Sequence, residues 1–156
     1  MARCVNDLAA IAIVPAQPIF RKGIYFREWG MAMTQNTVNI IDSYGAAWLE
    51  QDENARRAML ETAWNPQGTY TDPSVDLTGR DALIAHIGSF HKNMPGAQIL
   101  ITSGAAVHHG KFQFTWKMLG ADGKLVMNGV DFGELDGDGR IFKIVGFFGS
   151  PPALAH

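Results

Sequence analysis

The run from Phe112 to Met118 restricts the fold more than any other stretch of this chain. Phe112, Phe114, Trp116 and Met118 alternate with Gln113, Thr115 and Lys117. That period of two sets a half-buried β-strand with an aromatic face inward and a polar face outward. Asp122-Gly123 then turns the chain into Leu125 to Leu135, and Asp136-Gly137-Asp138-Gly139 turns it again into Ile141 to Phe148. Both are hairpin signals, because Asp-Gly pairs take the left-handed backbone that tight turns need. The second half of the chain therefore reads as an antiparallel meander, extended upstream by Ile99 and Ile101 and by His108-His109-Gly110.

The first half carries a helical period instead. Val38, Ile41, Tyr44 or Gly45, Trp48 and Leu49 fall at three-and-four spacing, which predicts a helix over Val38 to Leu49, and Glu50-Gln51-Asp52 breaks it. A second helix is expected from about Glu53 to Trp64, burying Ala55, Met59, Leu60 and Ala63 and ended by Pro66. Thr69-Tyr70-Thr71-Asp72-Pro73 reads as a short strand closed by a proline turn. A third helix starts after Gly79 with Asp81 in its first turn, buries Leu83, Ile87 and Phe90, and stops at Pro95-Gly96. The fold class is thus α+β: three N-terminal helices packed on a mostly antiparallel sheet. Gly129 and Gly133 around Asp131, and Gly146 and Gly149 around Phe147-Phe148, are expected to mark bulges or bends. Those bends would curve the sheet strongly into a cone with an internal apolar pocket.

Composition excludes several partner classes. A chain of 156 residues with 47% apolar content can bury one core, so a single domain is expected. Thirteen Lys and Arg against fifteen Asp and Glu, a net charge of −2, leave none of the basic excess that phosphate binding needs, so no nucleic-acid partner is expected. No apolar run approaches the ~20 residues of a spanning helix, so no membrane partner is expected either. Cys4 is alone. It can form neither an internal disulfide nor a cysteine-based zinc site, and it suits a reducing, cytoplasmic setting.

Residues 1–33 carry Pro15 and Pro18 and sustain no period. They read as an N-terminal extension, with the domain proper at 34–150 and a tail at 151–156. One version places them upstream of a domain that opens at the helix-capping residues Thr34-Gln35-Asn36. The other makes them an arm that packs on a partner subunit through Ile19, Phe20, Tyr25, Phe26 and Trp29. A secretory signal fits less well, since Asp7 interrupts the front of the apolar run Leu8 to Val14 and no clear small-x-small site follows.

The chemistry-bearing motifs are few. No glycine-rich phosphate loop and no His-Glu-x-x-His occurs, and Asp136-Gly-Asp-Gly lacks the further oxygen ligands of a calcium loop. His86 lies on the apolar face of the third helix, while the adjacent His108 and His109 should point to opposite faces of a strand. Structural histidines are the plainer reading; a metal site from His86, one strand histidine and Asp72 is the alternative, and no metal and no cofactor is expected. Two acids stand out. Asp131 in Val130-Asp131-Phe132 lies within an apolar strand and Asp72 ends an aromatic one before Pro73, and desolvation in such surroundings raises a carboxyl pKa toward neutrality; the alternatives are turn formation before proline for Asp72 and an outward-facing or sheet-edge place for Asp131.

The order Tyr44, then Thr69-Tyr70-Thr71-Asp72-Pro73, then Gly79-Arg80-Asp81-Ala82-Leu83, then Asp131 ahead of Asp136-Gly-Asp-Gly-Arg140-Ile141 resembles the nuclear transport factor 2-like, or SnoaL-like, superfamily. Within it, the chain resembles the bacterial ketosteroid isomerases over about residues 36 to 149. The resemblance implies that Asp72 is the proton-transferring base, and that Tyr44 and a protonated Asp131 donate to the developing enolate oxygen. Trp48, Tyr70, His86, Phe114, Trp116, Phe132 and Phe148 are the expected pocket residues, with strand parity leaving open which strand aromatics face a dimer side instead. The chain departs from the isomerases in a longer stretch between Tyr44 and Asp72, and in the added Trp48 and Trp64. The expected function is cofactor-independent proton transfer on a small hydrophobic carbonyl compound, isomerase-like or polyketide-cyclase-like. A non-catalytic binding or dimerisation module of the same fold and an Asp-His dehydratase are the alternatives. A homodimer and a small hydrophobic ligand are the expected partners.

Overall fold

The computed structural model describes residues 35–155. The expectations on residues 1–33, including Cys4 and the aromatic arm, lie outside the described residues. The elements run α1 Gln35–Leu49, α2 Glu53–Ala63, β1 Trp64–Asp72, β2 Val75–Thr78, α3 Arg80–Asn93, β3 Gln98–Ile101, β4 Ala106–His108, β5 Lys111–Leu119, β6 Leu125–Leu135 and β7 Ile141–Phe148. The class is α+β as expected: the described residues form three helices and one open seven-stranded sheet of order β2-β1-β7-β6-β5-β3, with β4 also on β5. Every pairing is antiparallel except β1 with β7. No helix among the described residues is long and apolar enough to cross a membrane.

The helices follow their apolar stripes with three departures. α1 begins three residues before the predicted start and buries Ile40, Ile41, Tyr44, Ala47 and Trp48, whereas Leu49 is exposed. α2 is opened by Asp52, whose side chain accepts from the Ala55 backbone N–H at 2.8 Å. It ends at Ala63 and passes straight into β1, so Pro66 does not end the helix. Pro66 falls where the β1–β7 register shifts between Trp64 and Thr69, the place in a sheet where a residue lacking N–H is tolerated. Finally, α2 buries Arg56 rather than leaving it in solvent. Its guanidinium donates to the carbonyl oxygen of Glu50 at 2.8 Å and closes the C-terminal end of α1.

The sheet core is what the alternating run dictated. Phe112, Phe114, Trp116 and Met118 of β5 are all buried, with Gln113 and Thr115 outside. The turn at Asp122-Gly123 and the turn at Asp136 to Gly139 form as predicted, with Gly123 and Gly139 at φ 75° and 82°. Asp136 serves the second turn: Oδ1 accepts from the backbone of Asp138 and Arg140, and Oδ2 accepts from Asn65 at 2.7 Å and pairs with the Arg140 guanidinium at 3.5 Å. His108 and His109 do not take opposite strand faces. His108 ends β4, and His109 and Gly110 form a left-handed two-residue turn at φ 48° and 72°.

The strand glycines do not mark bulges. Register shifts occur at Trp64/Thr69, Met118/Leu119 and Glu134/Leu135, none of them at Gly129, Gly133 or Gly146. Gly129 and Gly133 are the cross-strand partners of Trp116 and Phe112, and those rings lie over the glycines where a Cβ would stand. The missing side chains are seats for aromatic rings. Gly129→Ala is expected to cost about 1–3 kcal/mol, because both the Trp116 ring and the Phe147 carbonyl would have to move. Gly137→Ala, with open space around it, should stay within about 0.5 kcal/mol of wild type. Urea midpoints of the two variants check this; equal values would show that the seat carries no strain.

Candidate active site

Strand parity places the acids. Because β6 alternates, Gly129, Asp131 and Gly133 turn inward together beneath the aromatic face of β5. Asp131 pairs with Phe114 on one side and with Gly146 of β7 on the other. On the far side of β7, Thr71 pairs with Val145, so Asp72 stands beside Gly146 as well. A Cβ built on Gly146 would lie 3.0 Å from Asp131 Oδ1 and 3.5 Å from the Asp72 Cβ. The two carboxyls therefore occupy one row of the sheet, with only a glycine between them.

Both acids open onto a cavity of about 330 Å³. That is the lower end of small-ligand sites. α1 contributes Tyr44 and Trp48, β1 Tyr70 and Asp72, α3 His86 and Phe90, β5 Phe114 and Trp116, β6 Asp131, and β7 Phe148. The structure thus brings together Tyr44, Asp72 and Asp131 and the pocket residues Trp48, Tyr70, His86, Phe114, Trp116 and Phe148. Phe132 is the exception. It follows Asp131 directly, so an inward Asp131 turns it outward, where it is 49% exposed and meets Phe147 edge-on at 6.4 Å. His108 and His109 are exposed at their hairpin and lie outside the cavity. Among the described residues no three His, Cys, Asp or Glu stand close enough together to hold a metal ion.

The two carboxyls are held differently. Asp72 closes the β1–β2 turn: Oδ1 accepts from the Ser74 backbone and hydroxyl at 2.7 Å each and from the Val75 backbone at 3.0 Å. Its Oδ2 accepts from the Tyr70 hydroxyl at 2.9 Å. Asp131 has one partner among the described residues, the Trp116 indole N–H, which donates to Oδ1 at 2.8 Å. Burial lifts its carboxyl to about 6, against the lowering effect of that hydrogen bond and with help from the Asp72 charge. Asp131 therefore exchanges its proton near neutrality.

The surrounding groups are neutral. Tyr44 is fully enclosed, stacked on Trp64 at 5.8 Å and edge-on to Trp48 at 6.5 Å. Burial, then the nearby Asp131, pushes its hydroxyl well above the usual tyrosine range, so it remains a hydrogen-bond donor. Burial does the same to Tyr70. His86 lies against Tyr70 at 5.7 Å and Trp48 at 5.8 Å, and its burial lowers its pKa although Asp72 pulls it up. An imidazole so placed is uncharged at neutral pH.

Sequence reasoning missed one wall. Ser89 and Asn93 join His86 and Phe90 along the cavity side of α3, and Ser74 and Gly45 also line it. Extending the face of His86 by three and seven residues would have found Ser89 and Asn93. Gly45 owes its place to close approach: a Cβ there would come within 2.7 Å of Ile101 on β3.

An open mixed sheet and three helices that close on an acid-bearing apolar cavity define a cone-shaped pocket fold. No protein-family model matches the chain, and no curated protein matches it. Solved structures do. A candidate isomerase of the SnoaL-like family from Agrobacterium tumefaciens aligns with a TM-score of 0.69 and 29% identity, over 75% of this chain and 100% of its own. A candidate SnoaL-like polyketide cyclase from Jannaschia aligns at 0.58 and 13%, over 76% and 91%. A protein with a ketosteroid isomerase-like fold from Catenulispora acidiphila, solved with trimethylamine, aligns at 0.56 and 17%, over 69% and 82%. The fold is that of nuclear transport factor 2-like, SnoaL-like proteins.

Proposed function

We propose that the chain is a cofactor-independent enzyme that moves a proton on a small hydrophobic carbonyl compound, with Asp131 as the base. The observation that carries this reading is the state of Asp131: a buried carboxyl in an aromatic cavity, with one hydrogen-bond donor and a pKa of about 6. A base works best when its pKa lies near the working pH. Asp72, the base that the family resemblance implies, has both oxygens engaged by four donors that hold it in the β1–β2 turn. The likeness to structures described as candidate isomerases and polyketide cyclases supports the class of chemistry.

In the reaction, Asp131 Oδ2 takes a proton from the carbon next to the carbonyl. The C–H electron pair moves into a new C=C bond, and the carbonyl π pair moves onto oxygen. The neutral Tyr44 hydroxyl donates to that oxygen, a contact worth about 10²–10³ in rate at such sites. Asp131 then returns the proton to the same carbon or to a conjugated one. Asp72 and Tyr70 hold the far side of the cavity polar and ordered.

Turnover of a generic β,γ-unsaturated ketone tests the assignment. Asp131→Asn should lose at least about 100-fold in kcat/KM, and Asp72→Asn less than about 10-fold. The reverse order would return the base to Asp72.

A further inference from the structure

The cavity carries charge of one sign. Among its described lining residues are two carboxylates, Asp72 and Asp131, and no lysine or arginine. The buried cation Arg56 is engaged elsewhere, on the carbonyl oxygens of Glu50 and Gln51. Four donors answer the charge of Asp72, but a single indole N–H answers that of Asp131. The walls reinforce the imbalance: Trp48, Tyr70, Phe90, Phe114, Trp116 and Phe148 present ring surfaces, whose faces are electron-rich and attract cations. An ionised carboxylate in such surroundings is stabilised by a counter-ion, and the described lining residues supply none.

We propose that this cavity binds small organic ammonium ions, held between aromatic faces with Asp131 as their counter-ion, and that it rejects carboxylates. The site is independent of turnover, since it needs only the walls and the charge. The titratable groups that share the cavity with Asp131 are Tyr44 from α1, Tyr70 and Asp72 from β1, and His86 from α3. β5 adds the uncharged Phe114 and Trp116, and β7 adds Gly146 and Phe148. The tyrosines and His86 are neutral at pH 8, so Asp131 and Asp72 alone set the sign. An ammonium ion gains the Asp131 charge as pH rises, whereas a carboxylate meets repulsion from both acids.

Three benzyl probes of similar size separate charge from shape: benzyltrimethylammonium, its neutral isostere neopentylbenzene, and phenylacetate. Quenching of Trp48 and Trp116 fluorescence in the full chain reads binding directly. At pH 8 the cation should bind at least tenfold more tightly than the neutral isostere, and phenylacetate should not bind detectably. Asp131→Asn should remove that preference while leaving the affinity for neopentylbenzene within about threefold. Lowering the pH of the wild-type protein from 8 to 5 should weaken the cation about tenfold, which tests the counter-ion without any variant. Equal binding of cation and isostere, binding of phenylacetate, or a preference that survives in Asp131→Asn would each overturn the proposal.

Discussion

Asp131→Asn is expected to be more stable than the wild-type protein at pH 8, by about 2 kcal/mol, and no more stable at pH 4. The reason is the cost of a buried charge. The folded carboxyl sits at about 6 against an ordinary 3.8, so the folded state binds this proton more tightly than the unfolded state does. Stability from that difference is complete below the unfolded value and is lost as pH rises through about 6. At 1.36 kcal/mol per unit, the ionised form is disfavoured by about 3 kcal/mol at pH 8. Asparagine removes the charge and still accepts the Trp116 N–H, but its amide N–H₂ faces an apolar cavity at a cost of about 1 kcal/mol. Urea denaturation at the two pH values measures the difference. A variant less stable than wild type at pH 8 would mean that Asp131 is not strained in the native state.

The same proton shapes the rate. With Asp131 as base, kcat/KM follows its ionised fraction in the free protein and should rise about tenfold from pH 5 to pH 7, levelling above that. Were Asp131 instead a protonated donor and Asp72 the base, the profile would fall over the same range. Steady-state rates across pH 4.5 to 8 therefore decide the roles by the sign of one slope. Taken together, the two expectations describe a stability–activity trade: the charge that costs folding energy is the charge that removes the proton.

Much of the fold was legible because it rests on local pattern. The period of two in β5, the Asp-Gly turns and the three-and-four spacing of α1 and α3 are each set by a few neighbouring residues, and each appears as expected. What escaped depends on distant partners. Pro66 reads as a helix stop until the parallel pairing of β1 with β7 is known. The burial of Arg56 depends on carbonyl oxygens at the C-terminal end of α1 that its guanidinium closes. Gly129 and Gly133 read as bends until Trp116 and Phe112 are found lying over them. The site was half legible. Apolar surroundings singled out Asp72 and Asp131, and resemblance added Tyr44 and joined the two acids, which spacing alone would have left unconnected across 59 residues. Yet parity was enough to exclude Phe132, since consecutive residues of one strand cannot both face one cavity. The turn before Pro73 was legible at Asp72, but its full set of donors was not, because three come from the turn backbone and Ser74 and the fourth is the Tyr70 hydroxyl of β1.

The glycine between the two acids has a consequence for how such a pocket could change. Asp72 and Asp131 stand two strands apart, so backbone hydrogen bonding holds their Cα atoms at a spacing of roughly 10 Å. That interval behaves as a ruler built into the sheet, indifferent to whatever side chains line the rest of the chamber. The opposite wall, carried by α1 and α3, has no share in it. Substitutions at Trp48, Ser89, Phe90 or Asn93 can therefore widen, narrow or recolour the chamber without altering the interval between the acids. The interval between the acids and the shape of the opposite wall are thus set by separate pieces of the chain, and Gly146 is the position where a single side chain would come between the acids.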